Sequence, residues 1–161
     1  MMKIGFGYDS HRLGENRSLT IGGVLIPYEK GLIGHSDADV LVHAVCDAFL
    51  GAMGQGDIGC HFPDTDPAYK DASSLFFLER IASMMGEKNY RLSHLDSSII
   101  IEKPKLRPYI RAMQQNLADT LRVDAAKINI KAKTNEGMGF IGRQEGAAAF
   151  AVVVLEEKPQ T

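Results

Sequence analysis

The stretch SDADVLVHAVCDAFLG, residues 36–51, carries the clearest secondary-structure pattern of the chain. Ser36-x-x-Asp39 resembles a helix capping box, in which a serine side chain would cap the first turn. Apolar residues then recur at the three- and four-residue spacing of an amphipathic helix until Gly51. We therefore predict a helix that begins after Ser36 and ends near Gly51.

Short β-like segments precede this helix. Residues 3–7, 18–21 and 24–28 are rich in apolar and β-branched side chains. Gly22-Gly23 separates the last two segments and suits the positive φ angles of a tight hairpin turn. The N-terminal part is therefore predicted to be a β-hairpin region.

After the first helix, the pattern predicts a loop, two helices and three strands. The predicted segments are a loop over 57–67, helices over 73–86 and 108–121, and strands over 97–102, 128–133 and 147–154. The resulting order, β-β-β-α-α-β-α-β-β, contains few βαβ units. It favours an α+β fold with a mostly antiparallel or mixed sheet and helices on one face.

Length and composition point to one domain. The chain has 161 residues, of which 45% are hydrophobic, and we expect a single domain over 1–156 followed by a frayed tail over 157–161. Its two cysteines cannot build a disulfide framework or a cysteine-rich zinc module. A net charge of −2 argues against nucleic-acid binding, and no apolar run is long enough to cross a membrane. These features predict a cytoplasmic protein.

Asp9, His11 and His43 are candidate metal ligands. The two-residue spacing of Asp9 and His11 would point both side chains the same way if the first strand continues through them. With His43 on the first helix, they would give the three N/O ligands of a catalytic zinc site with an open position. The alternative is that His43 is an ordinary helix histidine and Asp9 caps its own turn.

The start of the first helix is a candidate phosphate site. His35 and Ser36 precede it, and free N–H groups and the helix dipole attract anions there. The alternative is ordinary capping by Ser36, with Asp37 and Asp39 complementing the dipole.

A second polar cluster lies near the C-terminus. Residues 137–142 match the G-x-G-x-x-G dinucleotide pattern, but no helix and ribose-binding acid are predicted after them, so a dinucleotide site is excluded. Residues 131–137 combine ammonium, hydroxyl and carboxylate groups and could bind phosphate and a hard cation. The alternative is a solvated strand end.

Five ordered motifs together resemble the 2-C-methyl-D-erythritol 2,4-cyclodiphosphate synthase family. They are GYDSH (7–11), HSDADVLVH (35–43), GDIG (56–59), FPDTD (62–66) and TNEGMGFIGR (134–143). The resemblance extends from residue 3 to about residue 156. No cytidylyltransferase-like segment precedes it, so the monofunctional form is expected.

The resemblance implies a cyclisation. In this family, 4-diphosphocytidyl-2-C-methyl-D-erythritol 2-phosphate is converted to the 2,4-cyclodiphosphate with release of CMP. This is a phosphorus–oxygen lyase step of non-mevalonate isoprenoid and terpenoid precursor biosynthesis. The resemblance also implies one Zn²⁺ per chain on Asp9, His11 and His43, and Mg²⁺ or Mn²⁺ on Glu136. His35 and Thr134 match the family's transition-state stabilisers.

Further positions match the family's substrate contacts. They are Ser36, Asp57, Ile58, Gly59, Phe62, Pro63, Asp64, Thr65, Asp66, Ile101, Glu102, Lys103, Pro104, Lys105, Leu106, Arg107, Lys133, Asn135, Phe140 and Arg143. Residues 101–107 match the cytosine pocket. The family often has threonine at positions 133 and 135, where this chain has Lys133 and Asn135.

The family forms homotrimers, and the resemblance therefore implies a trimer with shared active sites. Phe140, Arg143 and Glu145 could surround the threefold axis, with Arg143 and Glu145 on one strand face.

From the residues alone, two other functions remain open. The metal triad could activate water in a zinc-dependent phosphate hydrolase. The chain could also be a non-catalytic module that binds a cytidine nucleotide or a metal.

Overall fold

The computed structural model describes residues 1–159, which form a five-stranded sheet, a two-stranded hairpin and five helices. The strands are β1 (Met2–Glu15), β2 (Leu19–Ile21), β3 (Val24–Ile26), β4 (Lys30–Ile33), β5 (Tyr90–Ile100), β6 (Ile128–Lys133) and β7 (Gly146–Glu157). The helices are α1 (Val40–Met53), α2 (Ile58–His61), α3 (Ser74–Glu87), α4 (Ile110–Leu121) and α5 (Gly139–Gly142).

The larger sheet is mixed and mostly antiparallel. Its strand order is β4-β1-β7-β5-β6, and the β5–β6 pair is its parallel pair. The helices α1, α3 and α4 pack on this sheet, α1 against β1 and β7, α3 against β5 and α4 against β6. The predicted α+β fold with helices on one face of a mixed sheet is confirmed.

Two glycines of β1 let α1 lie directly on the strand. A Cβ atom at Gly5 would come within 1.8 Å of the Ala48 carbonyl oxygen, and one at Gly7 within 1.9 Å of the Ala44 carbonyl oxygen. A side chain at either position would therefore push the helix away. This close contact fixes the height of α1 above the strand that supplies Asp9 and His11.

The predicted hairpin is confirmed, since Gly22 and Gly23 have φ angles of 59° and 69° between β2 and β3. Two strands extend further than predicted. β1 continues from Gly7 to Glu15, and β5 begins at Tyr90 instead of 97. In β5 an irregularity between Leu92 and His94 breaks the two-residue alternation on which the prediction depended. β4 was not predicted.

The predicted loop over 57–67 is wrong in part, because it contains the short helix α2. The Asp57 side chain accepts a hydrogen bond from the Cys60 N–H and caps this helix. Polar and proline residues on both sides of a single helical turn hide it from periodicity analysis.

The predicted capping role of Ser36 is also wrong. Asp39 is the N-cap of α1, and its side chain accepts from the Val42 N–H at 3.1 Å. The same carboxylate accepts from the N–H groups of Gly22 and Gly23 at 2.9 and 2.7 Å. Asp39 is fully buried and joins the hairpin turn to the start of α1.

The last strand is longer than the predicted 147–154. β7 reaches Glu157, and the Lys158 N–H donates to the Asn89 carbonyl, so the start of the predicted tail is paired. Positions 160–161 of that tail lie outside the described residues. Among the helices of residues 1–159, none combines the length and apolar character needed to cross a membrane.

Candidate metal centre and substrate pockets

Three ligand atoms converge at the C-terminal half of β1. The Asp9 carboxylate lies 2.8 Å from His11 Nε2 and 3.1 Å from His43 Nδ1, and the two ring nitrogens are 3.1 Å apart. Asp9 and His11 share the helix-facing side of β1, and His43 projects from the first turn of α1. The predicted triad is therefore assembled in one chain.

The donor set fits a cation. His11 Nδ1 lies 3.0 Å from the Ile33 carbonyl oxygen, which can only accept, so Nδ1 carries a proton and the ring, when neutral, presents the lone pair of Nε2 to the cluster. Two imidazole nitrogens and one carboxylate oxygen are a usual set for catalytic zinc, with one position open. The alternative in which Asp9 only caps its own turn does not describe this geometry, since its carboxylate faces both histidines.

The pKa values of Asp9 and His11 reflect the attraction between the carboxylate and the imidazole rings. Burial opposes ionisation of Asp9, but hydrogen bonds with His11 and His43 outweigh it and lower the Asp9 pKa to about 2. Burial also opposes protonation of His11, yet its contact with Asp9 raises the His11 pKa above the ordinary value. In the metal-free protein, a proton shared by Asp9 and His11 thus takes the place that a metal cation would occupy beside the Asp9 carboxylate.

A cavity of about 410 Å³ opens beside the triad. Its lining includes the two histidines of the triad, the predicted stabiliser His35 and six predicted substrate contacts. The predicted contacts that line it are Ser36, Ile58, Gly59, Phe62, Pro63 and Asp64. The segment before α1, residues of the 58–64 segment and the two histidine ligands therefore share one pocket.

Three other predicted residues of this region have local roles or face elsewhere. Asp57 caps α2, and the Asp66 side chain accepts from the Ala68 N–H. The Asp66 carbonyl lies 3.0 Å from His35 Nε2 and holds that ring at the pocket wall. Among residues 1–159, Asp57, Thr65 and Asp66 are not part of the cavity lining.

Sequence reasoning missed an aromatic wall of the same cavity. Phe62 stacks on Phe77 with ring centroids 4.7 Å apart, and Tyr69 meets Phe77 edge-on at 5.6 Å. Phe77 lies on the buried face of α3 and reads as ordinary core in the sequence. Its neighbours in space come from a separate loop, so no local pattern indicates the wall.

A second cavity, of about 160 Å³, contains most of the predicted cytosine pocket. Its lining is Ile101, Glu102, Pro104, Lys105, Leu106, Arg107, Ala132, Lys133 and Thr134. Within the described chain, Lys103 and Asn135 are not part of that lining. The pocket lies where the parallel strands β5 and β6 end.

Glu102 organises the loop that follows β6. Its two carboxylate oxygens accept from the N–H groups of Asn135 and Gly137 at 3.0 and 3.1 Å. The loop thereby exposes Glu136, whose carboxylate accepts from the Thr134 hydroxyl at 3.0 Å. The structure thus brings the predicted stabiliser Thr134 and the predicted cation ligand Glu136 together.

The metal triad and the Glu136 loop are separated within one chain. Lys133, Ile100, Ala148 and Ser10 form one row across β6, β5, β7 and β1. Three strand spacings place the two ends of this row about 14 Å apart. The cavity beside the triad and the cavity beside Thr134 have no lining residue in common.

The predicted strand face for Arg143 and Glu145 is wrong. Both residues precede β7, and Arg143 ends the short helix α5, because the glycine-rich segment turns before it becomes extended. The Arg143 guanidinium donates to both carboxylate oxygens of Glu145, at 2.8 and 3.3 Å. Phe140 and Glu145 line a third cavity, of about 210 Å³, beside Ser10 and Arg12 on the outer side of β1.

The YgbB family model matches residues 2–156, nearly the whole chain. The chain belongs to the YgbB family. A relative from Geotalea uraniireducens (strain Rf4), named 2-C-methyl-D-erythritol 2,4-cyclodiphosphate synthase, is 57% identical over 98% of this chain and 100% of its own. The matched region therefore includes the residues of the triad and of both cavities.

Solved structures agree with this family assignment. The bifunctional IspDF from Campylobacter jejuni is 44% identical with a TM-score of 0.94, and the match covers 98% of this chain and 42% of that protein. The Plasmodium falciparum IspF complex with CDP is 33% identical with a TM-score of 0.87, and covers 98% of this chain and 97% of its own. Both matches therefore cover nearly the whole of this chain.

Proposed function

We propose that this chain converts 4-diphosphocytidyl-2-C-methyl-D-erythritol 2-phosphate to 2-C-methyl-D-erythritol 2,4-cyclodiphosphate and CMP. The observation that supports this most strongly is the Asp9, His11 and His43 cluster beside the cavity of residues 34–77. In addition, this chain is 57% identical to a protein named 2-C-methyl-D-erythritol 2,4-cyclodiphosphate synthase. The reaction is a phosphorus–oxygen lyase step of isoprenoid precursor synthesis.

The proposed cofactors are one Zn²⁺ on the triad and one Mg²⁺ or Mn²⁺ on Glu136. When bound, such cations neutralise phosphate oxygens and fix the orientation of the attacked phosphorus. Asp9, His11 and His43 supply three ligands and leave one position for a substrate oxygen. The exposed Glu136 carboxylate supplies the oxygen ligand that a hard cation prefers.

The chain's own contribution is mainly to position the substrate. An oxygen of the 2-phosphate bonds to the β-phosphorus, the bond from this phosphorus to the bridging oxygen breaks, and that oxygen leaves with CMP. A phosphate monoester has a second pKa near 6 and is largely dianionic at neutral pH, so no general base is assigned. Phosphoryl transfer then depends on alignment and charge neutralisation.

His35 and Ser36 bind the phosphate region in this proposal. His35 is held by the Asp66 carbonyl, and both residues line the cavity at the N-terminal end of α1. The positive end of the α1 dipole favours anions there. The apolar wall of Phe62, Tyr69 and Phe77 helps to exclude water, which would otherwise compete with the internal phosphate.

The cytidine portion is assigned to the cavity of residues 101–107 and 132–134. The Plasmodium falciparum relative was solved as a CDP complex, which supports a nucleotide pocket in this fold. Glu102 contributes by holding the backbone of Asn135 and Gly137. Thr134 at the rim would stabilise the phosphate charge, beside the cation on Glu136.

We also propose a homotrimer with active sites between chains. Within one chain, the strand that carries Asp9 and His11 and the strand that leads to Glu136 are about 14 Å apart, farther than the two adjacent phosphates of one diphosphate extend. The sheet face opposite the helices is apolar and exposed, through Ile4, Phe6, Tyr8, Phe150 and Val152. Burial of this face in an assembly would bring the triad of one chain to the Glu136 loop of another.

Phosphorus NMR of the chain with substrate and Mg²⁺ tests the activity. We expect the resonances of a cyclic diphosphate and of CMP to appear together. CMP without a cyclic product would indicate the zinc-dependent hydrolase instead. Substrate binding without release of CMP would indicate a non-catalytic module.

A further inference from the structure

The side of the His43 ring that faces away from the metal cluster contacts two buried serines. His43 Nε2 lies 2.8 Å from Ser74 Oγ and 3.2 Å from Ser36 Oγ. The Ser74 hydroxyl in turn hydrogen-bonds to the Asp37 carboxylate. Ser74 is fully buried at the first position of α3, so this contact is shielded from water.

The direction of these hydrogen bonds follows from the donors available. The Asp37 carboxylate accepts, so the Ser74 hydroxyl donates its hydrogen bond to Asp37. Ser74 Oγ then has only lone pairs for His43 and must accept from Nε2–H. With its proton on Nε2, the neutral His43 ring presents a lone pair on Nδ1, toward Asp9 and His11.

We infer that Asp37 and Ser74 are positioning residues that fix His43 in its metal-binding tautomer and orientation. This inference rests on the proposed metal site and adds two residues that act on the ligand His43 and not on the metal itself. Carboxylate partners of ligating histidines, direct or through a second group, set the tautomer and raise the basicity of the ligand.

Backbone hydrogen bonds hold the series Asp37–Ser74–His43, called the relay below, in place. The Asp37 N–H donates to the Ala72 carbonyl, and the Ser74 N–H donates to the second oxygen of Asp37 at 3.0 Å. The Asp71 N–H donates to the His35 carbonyl. The start of α3 is therefore attached to the segment that precedes α1, and His43 is oriented from both helices.

Ser74→Ala tests the relay, with Ser73→Ala as the matched control. Ser73 is exposed, and within residues 1–159 its side chain makes no capping hydrogen bond. Competition with a chromophoric chelator would measure Zn²⁺ affinity, which does not depend on turnover. We expect roughly a 10–100-fold loss of affinity in Ser74→Ala and no loss in Ser73→Ala.

A double-mutant cycle and the histidine tautomer separate positioning from general stability. Asp37→Asn should weaken Zn²⁺ binding in the native background but change it little in the Ser74→Ala background, because its contact with His43 passes through Ser74. In the metal-free protein, ¹⁵N NMR should show the His43 proton on Nε2, and Ser74→Ala should mix the two tautomers.

Native Zn²⁺ affinity in Ser74→Ala, with zinc bound normally by the unaltered protein, would overturn the relay and leave the proposed metal site intact. A lowered unfolding temperature of metal-free Ser74→Ala with unchanged Zn²⁺ affinity would also overturn it, by showing a structural role alone. Failure of the unaltered protein to bind Zn²⁺ would overturn the metal site and the relay together.

Discussion

Single residues of β1 and α1 determine where the metal ligands meet. Asp9 and His11 point to the same side of β1 because they are two residues apart on a strand, and this relation was predictable from sequence. The meeting with His43 depends on the height of α1 above Gly5 and Gly7. The contacts of the other His43 ring nitrogen, Nε2, with Ser36 and Ser74 depend on tertiary packing and were not predictable.

Removal of one ligand should remove the metal. His43→Ala leaves two protein ligands, which are too few to hold Zn²⁺ against solvent and chelator. We expect near-complete loss of zinc, measured by elemental analysis after dialysis. The exposed His94 of β5 provides the control, and His94→Ala should keep the native zinc content. A native zinc content in His43→Ala would remove His43 from the ligand set.

The pH dependence of stability should reverse when zinc is bound. The folded pKa of His11 is raised, so in metal-free protein its stabilising contribution is complete below about 6.5 and is lost as pH rises through the raised value. Zinc requires the neutral ring, so its stabilisation grows with pH over the same range. Thermal unfolding with chelator and with Zn²⁺ would show these opposite trends. Parallel trends would contradict the assignment of His11.

Glu136→Ala should separate the two cation sites. The substitution leaves Asp9, His11 and His43 unchanged, so zinc content should remain native. Turnover at limiting Mg²⁺ should fall by at least roughly tenfold, because the anchor of the second cation is lost. The exposed Glu87 at the end of α3 is the control position. A native rate in Glu136→Ala at limiting Mg²⁺ would show that the second cation binds elsewhere.

Among the secondary-structure elements, the long helices and the central strands were predictable, whereas their ends were less so. The periodicity of α1 is clear, but the capping residue is Asp39 and not Ser36, because Asp39 also binds the hairpin turn of Gly22 and Gly23. A local capping motif cannot show that a side chain is needed by a distant segment. The short helix α2 and the irregular start of β5 escaped prediction because neither has a regular repeat.

The link between the hairpin and α1 gives a stability prediction. Asp39→Ala removes the N-cap and leaves the N–H groups of Gly22 and Gly23 without their buried acceptor. We expect the free energy of unfolding to fall by about 2–4 kcal/mol. Asp124 caps an exposed 3-10 turn through the Ala126 N–H, and Asp124→Ala should cost less than about 1 kcal/mol. Equal losses in urea unfolding would contradict the role of Asp39 as a link.

The whole molecule has two unlike sheet faces. α1, α3 and α4 cover one face, whereas aromatic contacts between Tyr8 and Phe150 and between Phe6 and Phe150 lie on the other. The fold class was predictable because the order of strands and helices constrains the sheet. The exposed apolar face was not, since alternating apolar residues on both sides of β1 do not show which side helices will cover.

The proposed site between chains is the central claim, and complementation tests it most directly. Asp9→Asn disables the metal triad and Glu136→Ala disables the second cation site, so each protein alone should show strongly reduced turnover at limiting Mg²⁺. After subunit exchange, some interfaces of a mixed trimer would combine an intact Asp9 with an intact Glu136. We predict that the mixture regains formation of the cyclic diphosphate and CMP, measured by phosphorus NMR. Exchanged assemblies that regain no activity, or a monomeric mass for the active protein, would contradict the claim.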